Sequence, residues 1–182
     1  MQWIIPGTVL PAKKEDMAHI EDMFRSMFLG GDMVLSQVAA VSGLEPYTIQ
    51  NWVKRGFLSP PQRKRYNMNQ LCRILNINML KSALPMEKIC GLLSYINGQL
   101  DDVADDIIRD TDLYFIFVQV AAKSTRATSP EESSRVIEEF LASYEESVPG
   151  AKERVAKVLA IMLTAWASAQ LQRSAEQMLA QL

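Results

Sequence analysis

Between Tyr47 and Tyr66 the chain gathers side chains suited to contacting a nucleic acid. Thr48, Gln50 and Asn51 offer hydrogen-bond groups at adjacent positions. Gln and Asn make bidentate bonds to adenine, and Thr donates to or accepts from either base type. Tyr47, Lys54 and Arg55 surround them, and the run Arg63-Lys64-Arg65-Tyr66 follows. Lys and Arg reach guanine or neutralise phosphates. The chemistry implied is recognition.

Motifs for catalysis are missing from the sequence. It has no Gly-rich phosphate loop, no Gly-x-Ser-x-Gly and no His-Glu-x-x-His. Asp101-Asp102 and Asp105-Asp106 place carboxylates one helical turn apart. They read either as a paired-carboxylate or metal site, or as an acidic helix start that suits the helix dipole. His19 is the single histidine, and Cys72 and Cys90 are the only cysteines. No Cys-x-x-Cys spacing joins them, so neither a disulfide framework nor a soft-ligand metal site is expected. They read as small buried hydrophobes or as redox-sensing thiols. No cofactor or enzymatic activity is expected.

The elements that must position the recognition residues are legible in order. Leu35, Val38 and Ala39 mark a short helix, which meets a Gly turn at Ser42-Gly43-Leu44. A second helix opens on Pro46 and runs to Arg55. On it Ile49, Trp52 and Val53 share one side and are expected to pack on Leu35 and Val38, which leaves the polar residues elsewhere on the surface. Pro60-Pro61 stiffens the approach to the three cations. That order of parts is a helix-turn-helix followed by a basic wing.

Around this centre the chain reads as mainly α. Residues 1–12 look extended. Lys14 to Leu29 carries a helical stripe at 17, 20, 24, 27 and 28, stopped by Gly30-Gly31. Asn67, with Gln70 three residues on, predicts a capping box. The helix that follows buries Leu71, Ile74, Leu75 and either Ile77 or Leu80. Pro85 is expected as a first helical residue, before a stripe at Met86, Ile89, Leu92, Leu93 and Ile96 that ends at Asn97-Gly98. A helix is expected from Asp101 to about Ala122. Its end from Leu113 to Ala122 is apolar almost all round, and a strand is the alternative for those residues. Ser129-Pro130-Glu131-Glu132 starts another, which ends before Pro149-Gly150. From Ala151 to Leu182 the residues Val155, Val158, Leu159, Met162, Trp166, Ala169, Met178, Leu179 and Leu182 recur near spacings of three and four. That stripe is either a dimer seam or the inner face of a core helix.

Charge divides the 182 residues. Residues 32–90 hold eight Lys and Arg against three acidic residues, a net of +5, whereas residues 91–182 hold eight against fourteen, a net of −6. A basic module beside an acidic one confines binding to a polyanion to one face. The expected organisation is an N-terminal extension and helix over 1–31, a DNA-binding domain over 32–98 and a helical dimerisation or effector domain over 99–182. No secretory leader is read at the N-terminus, and the strongly apolar run Leu113–Val118 is too short to span a bilayer. The chain is expected in the cytoplasm without a membrane contact.

This order of parts resembles the N-terminal domain of the MerR family of bacterial transcription regulators. The residues that carry the resemblance are Leu35-Ser36-Gln37-Val38-Ala39, Ser42-Gly43-Leu44, Pro46-x-Thr48-Ile49, Trp52, Gly56-Phe57-Leu58-x-Pro60-Pro61, Arg65-Tyr66 and Leu84-x-Met86-x-x-Ile89. From Ile49 to about Gly98 the chain is also similar to an uncharacterised bacterial family with a MerR-like first half. The resemblance implies a winged helix-turn-helix and a helix pair that bind pseudo-palindromic double-stranded DNA as a dimer. It implies DNA contacts for Gln50, Lys54 and Lys64. Two departures stand out: the wing is shorter than usual, and Asn51 replaces a common aromatic phosphate contact. The family's metal-binding cysteines have no counterparts here.

The expectation is therefore a sequence-specific transcriptional regulator. Its DNA contacts are Tyr47, Thr48, Gln50, Asn51, Lys54, Arg55, Arg63, Lys64, Arg65 and Tyr66. It is expected to form a homodimer through residues 100–182 along Val155, Leu159, Met162, Trp166 and Ala169, with an unidentified effector as a further partner. Two alternatives stay open: a protein-interaction module that keeps the winged fold without binding DNA, and an excisionase-like architectural DNA binder.

Overall fold

Two prolines and a glycine, Pro6, Gly7 and Pro11, shape the start of the chain, and apolar stripes shape the rest. In the computed structural model, which describes residues 3–98, 100, 106–124 and 130–181, the protein is mainly helical. β1 (Trp3–Ile4) and β2 (Pro11–Ala12) form a small antiparallel hairpin. The helix expected from Lys14 to Leu29 is split into a 3-10 turn at Lys14–His19 and α1 at Ile20–Met27. Met17 and Ile20 are both buried; three residues apart, they fall on one side of a 3-10 turn.

β3 (Met33–Val34) leads into α2 (Leu35–Ser42). The Gln37 Oε1 atom accepts from Val34 N–H at 2.9 Å and closes the helix start. Gly43 ends α2 at φ 70°, a left-handed cap that favours glycine. α3 (Pro46–Lys54) begins with proline in its first position. β4 (Arg65–Tyr66) pairs antiparallel with β3, Met33 opposite Tyr66 and Val34 opposite Arg65.

α4 (Met68–Leu80) opens on the expected capping box. Gln70 N–H donates to Asn67 Oδ1 at 2.9 Å, and Asn67 N–H to Gln70 Oε1 at 3.0 Å. Ile77 and Leu80 are both fully buried, so the choice between them falls away. α5 (Met86–Asn97) follows, with Pro85 as its N-cap and not its first helical residue.

α6 (Asp110–Lys123) corrects an expected boundary. Residues 106–109 are not helical, and Asp101, Asp102 and Asp105 lie outside the described residues. The Leu113–Ala122 stretch is helix, not strand. Tyr114, Phe117 and Val118 are fully buried, and their neighbours form an aromatic cluster with Phe24, whose ring lies 5.5 Å from those of Tyr114 and Phe115. α7 (Pro130–Phe140) starts where expected, although Ser129 lies outside the described residues.

α8 (Ala151–Leu179) runs for 29 residues. By length and composition alone it is apolar enough to cross a membrane, a property the emphasis on Leu113–Val118 overlooked. Yet Val155, Val158, Leu159, Met162 and Ala169 are buried against the other helices, and Trp166 packs edge-on to Phe117. From Val155 to Ala169 the stripe is thus the inner face of a core helix, whereas Met178 and Leu179 are exposed and Leu182 lies outside the described residues.

One hydrophobic core runs through all three sequence segments. It joins Ile5, Ile20 and Phe24 to Val38, Ile49 and Trp52, and continues through α4, α6 and α8. Cross-chain hydrogen bonds reinforce it. Tyr114 Oη donates to Pro6 O at 2.8 Å, and Asn78 Nδ2 donates to both Gly7 O and Ser42 O. Gly7 sits so close to α4 that a Cβ there would lie 2.4 Å from the Leu75 carbonyl oxygen.

Trp52 is 5% exposed, as its shared face with Ile49 requires. Trp52→Ala is expected to destabilise the chain by about 3–5 kcal/mol, in the range of large-to-small aromatic changes in cores. Urea unfolding of the variant checks this, and an unchanged midpoint would contradict the packing of α3 on α2.

Candidate nucleic-acid interface

α3 sorts its residues as an amphipathic helix must. Ile49 and Trp52 face inward, and Val53 is half-buried beside them. Tyr47, at 72% exposed, shares the outer surface with Gln50 and Lys54. Thr48 and Asn51 lie half-buried at its edges. Five of the expected contact residues therefore share one accessible helix.

Arg55 departs from that group. Its Nη2 lies 3.5 Å from Glu87 Oε1, and its guanidinium carbon sits 4.5 Å above the Phe57 ring. Both side chains remain at least half exposed, so Arg55 stays accessible at the end of α3. Tyr66 is corrected more strongly: only 3% of it is exposed, and burial raises its hydroxyl pKa. The alternation of the β3–β4 pair turns its ring into the core, so it supports the hairpin from below and does not present itself to a ligand.

The basic run forms a tight hairpin. Arg65 N–H donates to Gln62 O at 2.9 Å, and Arg63 and Lys64 occupy the tip with φ of 49° and 62°. Two consecutive positive φ values describe a type I′ turn, where Asn-Gly is the usual pair. A side chain in the left-handed region costs roughly 1–2 kcal/mol. Here two long, exposed cations hold both positions. Arg65 is anchored by a 2.7 Å bond from Nη1 to Asp32 O. Among the described residues, Lys54, Arg63 and Lys64 are not in ion pairs.

A second polar group lies beneath this surface, and the sequence reading missed it. Arg73, counted with the basic module, is 6% exposed. Its Nε donates to Phe57 O at 3.1 Å, just past α3, and its Nη1 lies 3.4 Å from Asp110 Oδ2 at the start of α6. Burial raises the Asp110 pKa, while the Arg73 charge and the hydrogen bonding of Arg73, Asn76 and Asn97 oppose that rise. The carboxylate is incompletely served: Asp110 Oδ1 and both amide atoms of Asn97 lack a well-formed hydrogen bond. The missed signal was a cation inside the apolar run Leu71-Cys72-Arg73-Ile74-Leu75. Arg73 is therefore buried in the fold and leaves Lys54, Arg55, Arg63, Lys64 and Arg65 as the exposed cations between residues 47 and 66.

No cluster of three His, Cys, Asp or Glu suited to a metal occurs among the described residues. Cys72 is buried, and burial beside Asp110 raises its thiol pKa well above the ordinary value, which opposes thiolate formation.

Two outcomes follow. Replacing Arg63-Lys64 with Asn-Gly is expected to raise stability by about 1–2 kcal/mol while removing both tip charges; the melting temperature checks the first effect. Asp110→Asn, which strands a buried guanidinium, is expected to cost about 3–5 kcal/mol, whereas Arg73→Met with Asp110→Leu is expected to recover most of that loss. Urea unfolding of the three proteins measures the recovery.

No curated protein and no solved structure matches the chain. Residues 30–117, from the approach to β3 through the first half of α6, match the model of a family described as a domain of unknown function (DUF1836).

Proposed function

We propose that this protein is a sequence-specific double-stranded DNA-binding transcriptional regulator. In this reading α2, α3, the β3–β4 strand pair and the Gln62–Arg65 hairpin turn act as a winged helix-turn-helix of MerR-like type. The observation that carries it is the pairing of an outward polar face on α3 with a hairpin whose tip holds two exposed cations in a costly backbone conformation. Strain of this kind persists where surrounding structure and function sustain it. Gln50, with Asn51 and Thr48 at the edge, reads bases; Tyr47 and Lys54 flank them; Arg63, Lys64 and Arg65 meet phosphate. Arg55 and Tyr66 position the reader.

Two copies of the chain suit a two-fold site, because each alone offers one short helix and one short hairpin. The helical second half supplies association, and an effector acting there remains part of the proposal. The reading places the chain in the cytoplasm, where its DNA is.

The short hairpin favours one competing reading, a protein-interaction module that has kept the architecture and lost DNA. Salt separates the two. A regulator loses duplex affinity steeply as salt rises, whereas an interaction module binds no duplex even at low salt. Arg63→Ala with Lys64→Ala is expected to weaken all sequences alike and to flatten the log-log salt slope by about two units. Gln50→Ala is expected to cost about 1–3 kcal/mol on the preferred site and to relax preference there. Fluorescence anisotropy with labelled duplex from a selection experiment measures both. A salt slope left intact by the double substitution would remove the hairpin from the interface.

A further inference from the structure

A groove of about 380 Å³ opens at the root of the hairpin, where α1 meets the starts of α4 and α6. Its back wall is apolar: Phe28 and Met68 are half-buried, and Phe115 is buried. Its mouth is charged. Arg25 in the last turn of α1 and Arg109 at the start of α6 are mostly exposed there, at 66% and 63% of their side chains. Two local features build the opening. Asn69 Oδ1 accepts from Thr111 N–H at 3.1 Å and ties the two helix starts together. Gly31, at φ 95°, turns the chain after α1 and brings Asp32 to the same groove.

Charge in the lining decides what fits. Glu21 engages Arg25. Asp112 engages Arg109 through Nε at 3.0 Å and Nη2 at 3.4 Å, which leaves Arg109 Nη1 for a ligand. Among the described residues the Asp32 carboxylate is in no ion pair. The lining thus holds two cations and three anions, while α4 and α6 bring their positive ends to it. A free anion meets three carboxylates, and a free cation meets two guanidinium groups and two helix starts. A molecule carrying both signs avoids either repulsion. The apolar wall behind the charges, two of its three side chains aromatic, favours a flat apolar body. We infer that this groove binds a small dipolar molecule with an apolar body, its ammonium toward Asp32 and its carboxylate toward Arg109. An aromatic amino acid has that chemistry.

The size agrees: 380 Å³ is near the lower end of the roughly 300–1,000 Å³ usual for small-molecule sites, room for one amino acid and not for a peptide. Both ends of the groove also touch parts tied to the reader. Asp32 O accepts from Arg65 Nη1 at 2.7 Å, so a ligand held by the Asp32 side chain steadies the strand that leads from the hairpin tip. Arg109 and Asp112 flank Asp110, which pairs with Arg73, and Arg73 reaches Phe57 O just past α3. Occupancy links the start of α6 to the hairpin root. Any effect on DNA affinity rests on the regulator proposed above, whereas binding itself does not.

Calorimetric titration and thermal melting of the full chain without DNA test this, with L-phenylalanine, L-phenylalaninamide and hydrocinnamate as probes. L-Phenylalanine is expected to bind at millimolar concentration or below and to raise the melting temperature. The amide lacks the carboxylate and hydrocinnamate lacks the ammonium, and each is expected to bind at least roughly tenfold more weakly. Asp32→Asn is expected to remove that advantage over hydrocinnamate and to leave hydrocinnamate binding unchanged. Arg109→Gln is expected to do the same against the amide. Both side chains are exposed, so the melting temperature of each unliganded variant is expected to stay as it is. Failure of L-phenylalanine to bind at millimolar concentration would overturn the inference, as would equal binding of the three probes or indifference to both substitutions. Hydrocinnamate binding above phenylalanine would overturn it in favour of an anion site. A chain that binds phenylalanine and no duplex would keep the groove and overturn the regulator.

Discussion

α4 is buried on nearly every side, and the rest of the fold is arranged to cover it. Of its residues, Leu71, Cys72, Ile74, Leu75, Ile77 and Leu80 have no exposed surface. A helix of that kind cannot stay in water unless other elements surround it. α2 and its turn take one side, α5 another, and α6 and α8 close the remainder. The N-terminal segment closes the last gap, which is why Gly7 approaches the α4 backbone too closely for a side chain. Polar groups on α4 had to be matched in the same enclosure. Gln70 donates to Ser59 and Pro60 as well as capping its own helix, and Arg73 ties Phe57 to Asp110. Covering α4 therefore also sets the position of the segment that leads from α3 into the hairpin.

That arrangement links the outer face of α3 to the far half of the chain. The carbonyl of Phe57 follows α3 by three residues, and Asp110 opens α6; one buried guanidinium touches both. A buried ion pair of this type contributes little net stability, because desolvation offsets its attraction. Its consequence is geometric. A shift of α6 moves the carboxylate on which Arg73 depends, and Arg73 in turn holds the end of α3. In the regulator proposed above, this gives the second half a direct mechanical connection to the reading helix.

Much of the fold was legible in the sequence where one local rule decided the outcome. The Asn67–Gln70 capping box, the Gly43 turn, the proline start of α3 and the burial of Ile49 and Trp52 follow from residue type and spacing alone. The errors arose where tertiary context decided. Tyr66 was grouped with its cationic neighbours, but strand alternation turned it inward. Arg73 counts with the basic module by sequence, yet it is buried and held by Asp110 from a distant element. The start of α6 was placed early because acidic residues resemble a helix start. On α8 one apolar stripe suited either a dimer seam or a core face, and packing assigned its stretch from Val155 to Ala169 to the core.

Asn78 carries a consequence for where this molecule can be divided. Its amide bridges Gly7 O in the N-terminal segment and Ser42 O at the turn before α3. Tyr114, inside the family-matched span, likewise spends its hydroxyl on Pro6, and its ring packs on Phe24. Both partners lie upstream of residue 30, where the family match begins. Cutting the chain at that boundary would take one acceptor from the Asn78 amide and the acceptor of the Tyr114 hydroxyl, and would open the aromatic cluster to water. The matched span is thus a unit of recurrence in sequence, whereas the unit that folds includes the strand pair and short helix that precede it.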